Sequence, residues 1–191
     1  MLGTINSSIQ RSGTEGATFR LRKIALDKLR NDAIQKQISL NTLTNQIFEQ
    51  YIDYNANAAK AGLIAFPRVL LIKLMDKLSE EEIVQIARNI ATTQVKDMVL
   101  LLKSTYTIES FLAVVESWIR TSGFPFKHEI SGTRHLYIIQ HDLNKNWSLY
   151  LSKLFDFVME DLVERRPMFQ INNNSIVFEV DTEKHDRIRY S

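Results

Sequence analysis

The chain contains no cysteine. That excludes disulfides, thiolate metal centres and a cysteine nucleophile, and it fits a reducing cytoplasm. Long apolar runs are missing as well. Stretches such as Met98 to Leu102 fall far short of the roughly 20 residues a membrane helix needs, so no membrane partner is expected. The opening MLGTINSSIQRSGTEG has no apolar segment behind a basic start. It reads as a polar arm and not as a secretory signal. There is no Gly-rich phosphate loop and no nucleophile motif, so the expectation is a protein that is not an enzyme and carries no cofactor.

A strong overall charge is also absent: the formal net charge is +2 over 191 residues. The distribution says more than the sum. Residues 1–38 hold seven basic side chains (Arg11, Arg20, Arg22, Lys23, Lys28, Arg30, Lys36) against three acidic ones, whereas residues 55–191 hold 17 of each. The positive field is concentrated near the N-terminus, where a phosphate backbone could use it.

The hydropathy pattern divides the chain into a polar arm (1–16), a compact segment (17–54), a small-residue stretch (55–63) that is either a linker or a helix extension, a second domain (64–181) and a charged tail (182–191). In the second domain Pro67 opens a helix, and Ser79 with Glu82 forms a capping-box pattern before Ile83. A further helix is expected from Gln94 to Lys103, and another behind Thr107 that stops at Gly123 and Pro125. Phe126 to Ile130, a turn at Gly132 and Arg134 to His141 read as a hairpin. Asn144 caps a helix, and Met168 to Ile171 with Ile176 to Val180 make a second hairpin. The predicted fold class is α+β, with helices followed by a ββαββ antiparallel sheet.

Residues 17–22 read Ala-Thr-Phe-Arg-Leu-Arg. On a strand, Ala17, Phe19 and Leu21 share one face and Thr18, Arg20 and Arg22 the other. No partner strand lies nearby in sequence, and a lone strand leaves its backbone groups unpaired. The same strand from a second chain would complete a two-stranded ribbon. Ala25, Leu26, Leu29 and Ala33 keep helical spacing, Ser39 is a plausible N-cap, and Leu40, Leu43, Ile47, Phe48 and Tyr51 form the next stripe. One strand and two short helices bury too little alone, so a homodimer or higher even oligomer is expected.

The run TFRLRKIALDKLRNDAIQKQISLNTLTNQIFEQYI resembles the ribbon-helix-helix family of DNA-binding proteins, without a gap, over about a fifth of the chain. The resemblance implies a dimeric β-α-α module whose ribbon enters the major groove. By position, the base contacts it implies are Thr18, Arg20 and Arg22. Arginine grips guanine in a bidentate way, and threonine bonds a base edge or touches a thymine methyl. It further implies phosphate contacts from the start of the second helix, at Ser39, Leu40 and Asn41. Two positions depart from the family pattern. Arg22, followed by Lys23, stands where a small capping residue is usual, which turns Lys23, and alternatively Arg22, toward phosphate. Gln37 stands where a helix-ending glycine is common.

The resemblance thus implies a transcriptional regulator that binds double-stranded DNA. The ββαββ order of the C-terminal domain loosely resembles domains that sense a small-molecule effector, and it suits equally well a domain that serves assembly. Rival readings are an antitoxin-like protein, a scaffold whose ribbon only dimerises, and a small-molecule or metal-binding sensor. The candidate metal residues are His128, His135 and His141, of which His135 and His141 share a strand face with Tyr137. Histidine at a strand surface is more often simply polar, and no helical His/Glu spacing supports a metal. Phe111, Trp118, Phe124, Phe126, Tyr137, Trp147, Tyr150 and Phe155 form an aromatic-rich region that is mostly core, with a minority available to line a ligand pocket or a subunit interface.

Overall fold

A computed structural model of the chain describes residues 13, 15–160, 162–163 and 166–183. Most of the expected arm and most of the charged tail lie outside the described residues. The chain forms two compact units that divide between Gln46 and Ile47, within a helix.

In the first unit, 15–22 run exposed and without a ladder. The strand expected over Ala17 to Arg22 is therefore not formed in the single chain. A strand exists only as part of a ladder, and this chain supplies no neighbour for it among the described residues. Helix α1 (Lys23–Gln35) begins behind Arg22, whose extended backbone accepts from the Ala25 and Leu26 amides at 2.9 and 3.1 Å but whose side chain caps nothing. Its end is tightly made. Gln37 takes φ +55°, its amide donates to Ile34 O and the Ile38 amide donates to Ala33 O, both at 3.0 Å. This is the six-to-one closure usually built on glycine. Ser39 then caps α2 (Leu40–Gln50), its Oγ accepting from the Thr42 amide at 3.0 Å.

A left-handed conformation costs a residue with a Cβ about 1–2 kcal/mol. Gln37 is exposed, so nothing else offsets that cost. Gln37→Gly is expected to stabilise the protein by about 1 kcal/mol after the entropy glycine loses on folding. A rise in the urea midpoint at unchanged slope checks this.

The second unit opens with the rest of α2, which runs on through a π-helical turn (Tyr51–Asn55) into α3 (Ala56–Ala58) and closes at Gly62. The small-residue stretch is thus a helix extension and not a linker. Helix α4 (Arg68–Met75) follows Pro67. Helix α5 (Glu80–Ile90) carries the full capping box: Ser79 Oγ accepts from the Glu82 amide, and the Glu82 carboxylate accepts from the Ser79 amide. No glycine or proline follows to stop it. Instead of a new helix starting at Gln94, α5 continues through a second π-helical turn (Ala91–Val95) into α6 (Lys96–Lys103). Thr92 and Thr93 bend the ladder there, their hydroxyls donating back to Arg88 O and Asn89 O at 2.9 and 2.8 Å.

Helix α7 (Ile108–Thr121) is capped by Thr107. It stops at Gly123, whose φ of +66° lets the Phe124 amide reach Ile119 O. Strands β1 (Phe126–Ser131) and β2 (Arg134–Gln140) turn at Gly132, α8 (Lys145–Met159) is capped by Asn144, and β3 (Met168–Ile171) and β4 (Ser175–Asp181) complete an antiparallel sheet of order β1-β2-β4-β3. The fold class is α+β, with the sheet assembled from two hairpins around α8. The core lies between the inner sheet face (Tyr137, Ile139, Ile176, Phe178, Val180) and helices α5 to α8 (Val99, Phe111, Ile119, Phe155, Met159). Asn144 and Asn146 pin the end of α4 to the start of α8 through Asp76 Oδ1 at 2.6 Å and Met75 O at 2.9 Å. Among the described residues, no single helix is long and apolar enough to cross a membrane.

Candidate functional site

Thr18, Arg20 and Arg22 are all exposed, as is Lys23 at the start of α1. Ser39 and Asn41 are exposed and Leu40 is half-buried. The Leu40 and Asn41 amides lie in the first turn of α2, where no intrahelical acceptor exists. The Ser39 hydroxyl is already engaged, with the Thr42 amide and, at 2.7 Å, with Thr42 Oγ1. Around these groups, among the described residues, the first unit buries two apolar side chains, Ala33 and Leu43. Leu21 (53% exposed), Ile24 (64%) and Ile34 (73%) remain on its surface.

The three histidines do not converge. His135 stands on β2 while His141 lies just past its end, and six residues of extended chain span about 20 Å. Among the described residues, no group of three or more His, Asp or Glu is placed to hold a metal ion. What assembles instead is a polar row reaching from the first hairpin to α7. The register puts His128 opposite Tyr137, with rings stacked at 4.0 Å, and Tyr137 stacks on Phe178 at 4.8 Å. His128 Nδ1 lies 2.7 Å from Glu116 Oε1, which also accepts from the Tyr137 hydroxyl at 3.0 Å, and Arg120 stands 3.6 Å from the other carboxylate oxygen. A carboxylate only accepts, so His128 donates to it from Nδ1. Its Nε2 lies 2.9 Å from His135 Nδ1, within hydrogen-bond distance. Burial and the neighbouring His128 hold His135 below the ordinary imidazole range, against the pull of Glu116. Burial, then the Glu116 charge and hydrogen bond, pushes the Tyr137 phenol far up. The row holds the hairpin to α7.

His141 is fully buried. Its Nδ1 accepts from the Leu143 amide at 3.1 Å, so its proton sits on Nε2 and is donated to Ser148 Oγ at 2.8 Å. The Ser148 hydroxyl passes its own proton to Asn172 O at 2.6 Å. These bonds tie both hairpin ends to α8.

The second unit also contains a cavity of about 270 Å³. Its wall is aromatic and apolar: Phe111 and Trp118 from α7; Trp147, Tyr150 and Phe155 from α8; and Tyr54 from the first π-helical turn. Val95, from the second π-helical turn, lines it too. No acidic, lysine, arginine or histidine side chain lines it. Burial raises the Tyr54 phenol above its ordinary range and the Tyr150 phenol to about 12, so both stay neutral. Trp147 and Tyr150 stack at 5.0 Å, and the Trp147 Nε1–H is buried without a hydrogen-bond partner.

Comparison with protein-family models, with curated proteins and with solved structures finds no match to this chain. The reading therefore stands on its residues alone. Two features of the second unit were missed from sequence. Glu116 reads as an ordinary polar position on an amphipathic helix, although the Gly132 turn does fix His128 opposite Tyr137. The π-helical turns, which bring Tyr54 and Val95 to one cavity, have no distinct composition.

Proposed function

We propose that the chain is a sequence-specific transcriptional regulator that binds double-stranded DNA as a dimer or higher even oligomer, its second unit serving sensing or assembly. The observation that carries this reading is the first unit's incomplete core. Two buried side chains do not sustain an independent fold, and Leu21, Ile24 and Ile34 are open to water beside an alternating segment that presents Thr18, Arg20 and Arg22. Pairing of that segment with its copy in a second chain would satisfy its backbone and cover these apolar groups. It would also present each outward side chain twice, in a ribbon of the width the major groove admits. Thr18 and Arg20 then face base edges. Arg22 reaches base or phosphate, and Lys23 with the Ser39, Leu40 and Asn41 amides holds the backbone.

Arg22 and Lys23 from two chains make about four phosphate contacts, which release condensed counterions on binding. Raising salt from about 50 to about 200 mM is expected to weaken binding to a mixed-sequence duplex about 100-fold. Fluorescence anisotropy of the full chain on labelled duplex reads this directly. No binding at low salt, or an affinity indifferent to salt, overturns the proposal.

A further inference from the structure

We infer that the cavity of the second unit is a binding site for an uncharged, mostly apolar molecule about the size of two fused rings. Size follows from volume: the cavity measures about 270 Å³, and a dry cavity of about 150 Å³ accommodates benzene. The absence of charge follows from the wall, which offers no ionised side chain to pair with an ion. The flat shape suits the stacked Trp147 and Tyr150 rings and the edge-to-face pair of Phe111 and Phe155.

A broader groove of about 620 Å³ shares Tyr54, Leu63, Trp118 and Trp147 with the cavity and gives it a route to solvent. The two π-helical turns add an independent pointer. Such turns are rare and concentrate at functional sites, and both of those described here contribute to this wall.

Binding itself does not depend on the DNA reading; only the role of the molecule as an effector rests on it. The protein's two tryptophans are Trp118 and Trp147, and both line the cavity, so indole emission reports on this wall alone. The full chain, without DNA, is titrated with α-tetralone, tetralin and naphthoate. These share a bicyclic frame, and only naphthoate is charged. The expected result is saturable binding of both neutral probes, each at least about 10-fold tighter than naphthoate. The inference is overturned if neither neutral probe saturates, or if naphthoate binds as tightly as they do.

Discussion

Arg20→Ala is expected to lower the affinity of the protein for its preferred duplex by about 30-fold or more, while binding to random-sequence duplex falls far less. A bidentate arginine–guanine contact discriminates by about 1–3 kcal/mol. The proposed dimer would present Arg20 twice, so the expected loss is about 2–6 kcal/mol, and each 1.4 kcal/mol is about tenfold in affinity. Arg20 is exposed, in a stretch that forms no ladder, so the substitution should leave the fold intact. Arg20→Lys should not restore the preference, because a lysine ammonium lacks the planar fork. Lys23→Ala should instead weaken all sequences alike and flatten the salt dependence, as loss of a phosphate contact does. Paired anisotropy titrations on preferred and random duplexes separate these outcomes. An equal loss on both duplexes would place Arg20 on phosphate and not on a base.

The parts of the fold that were legible in sequence are those set by local signals. Ser79 with Glu82, Thr107, Asn144, Gly123 and Gly132 each fix a helix start, a helix stop or a turn, and each stands where its chemistry requires. The ββαββ order followed from these marks. Illegible were features set by the absence of a mark or by tertiary packing. Nothing in Ala91 to Val95 announces a π-helical turn, so one bent helix read as two. The small residues after Tyr54 read equally as linker or helix, and the helix won because no glycine or proline intervenes before Gly62. The three histidines shared strand parity, but parity carries no information on distance along a strand. Gln37 shows the reverse: the departure from glycine was visible, and the chain nevertheless adopts the left-handed turn that glycine usually supplies.

The second large effect is on stability in acid. His141 is expected to cost the protein about 3 kcal/mol of stability between pH 6.5 and pH 4. Burial lowers its pKa from 6.5 to about 4, with the neighbouring Asp142 charge pulling the other way. The geometry shows why burial prevails: protonation at Nδ1 would set a donor against the Leu143 amide, 3.1 Å away. The sign follows. Between pH 6.5 and about 4 the unfolded chain binds a proton that the folded chain does not. Stability is therefore full above pH 6.5 and falls by about 1.4 kcal/mol per pH unit on the way down. His135, also held below its ordinary range, adds a contribution of the same sign. His141→Gln keeps an acceptor and a donor but cannot titrate. Urea midpoints of the two proteins at pH 7 and at pH 4.5 should converge as the pH falls. Parallel losses in both would show that His141 is not the titrating group.

The central claim remains that the first unit reads DNA as a symmetric pair. Selection of bound sequences from a random duplex pool, run in parallel with the full chain and with Arg20→Ala, tests it most directly. The wild-type protein should return a roughly palindromic site, and the variant should lose the preference at the same position in each half. A site without two-fold symmetry, identical sequences from both proteins, or no enrichment from either would contradict it.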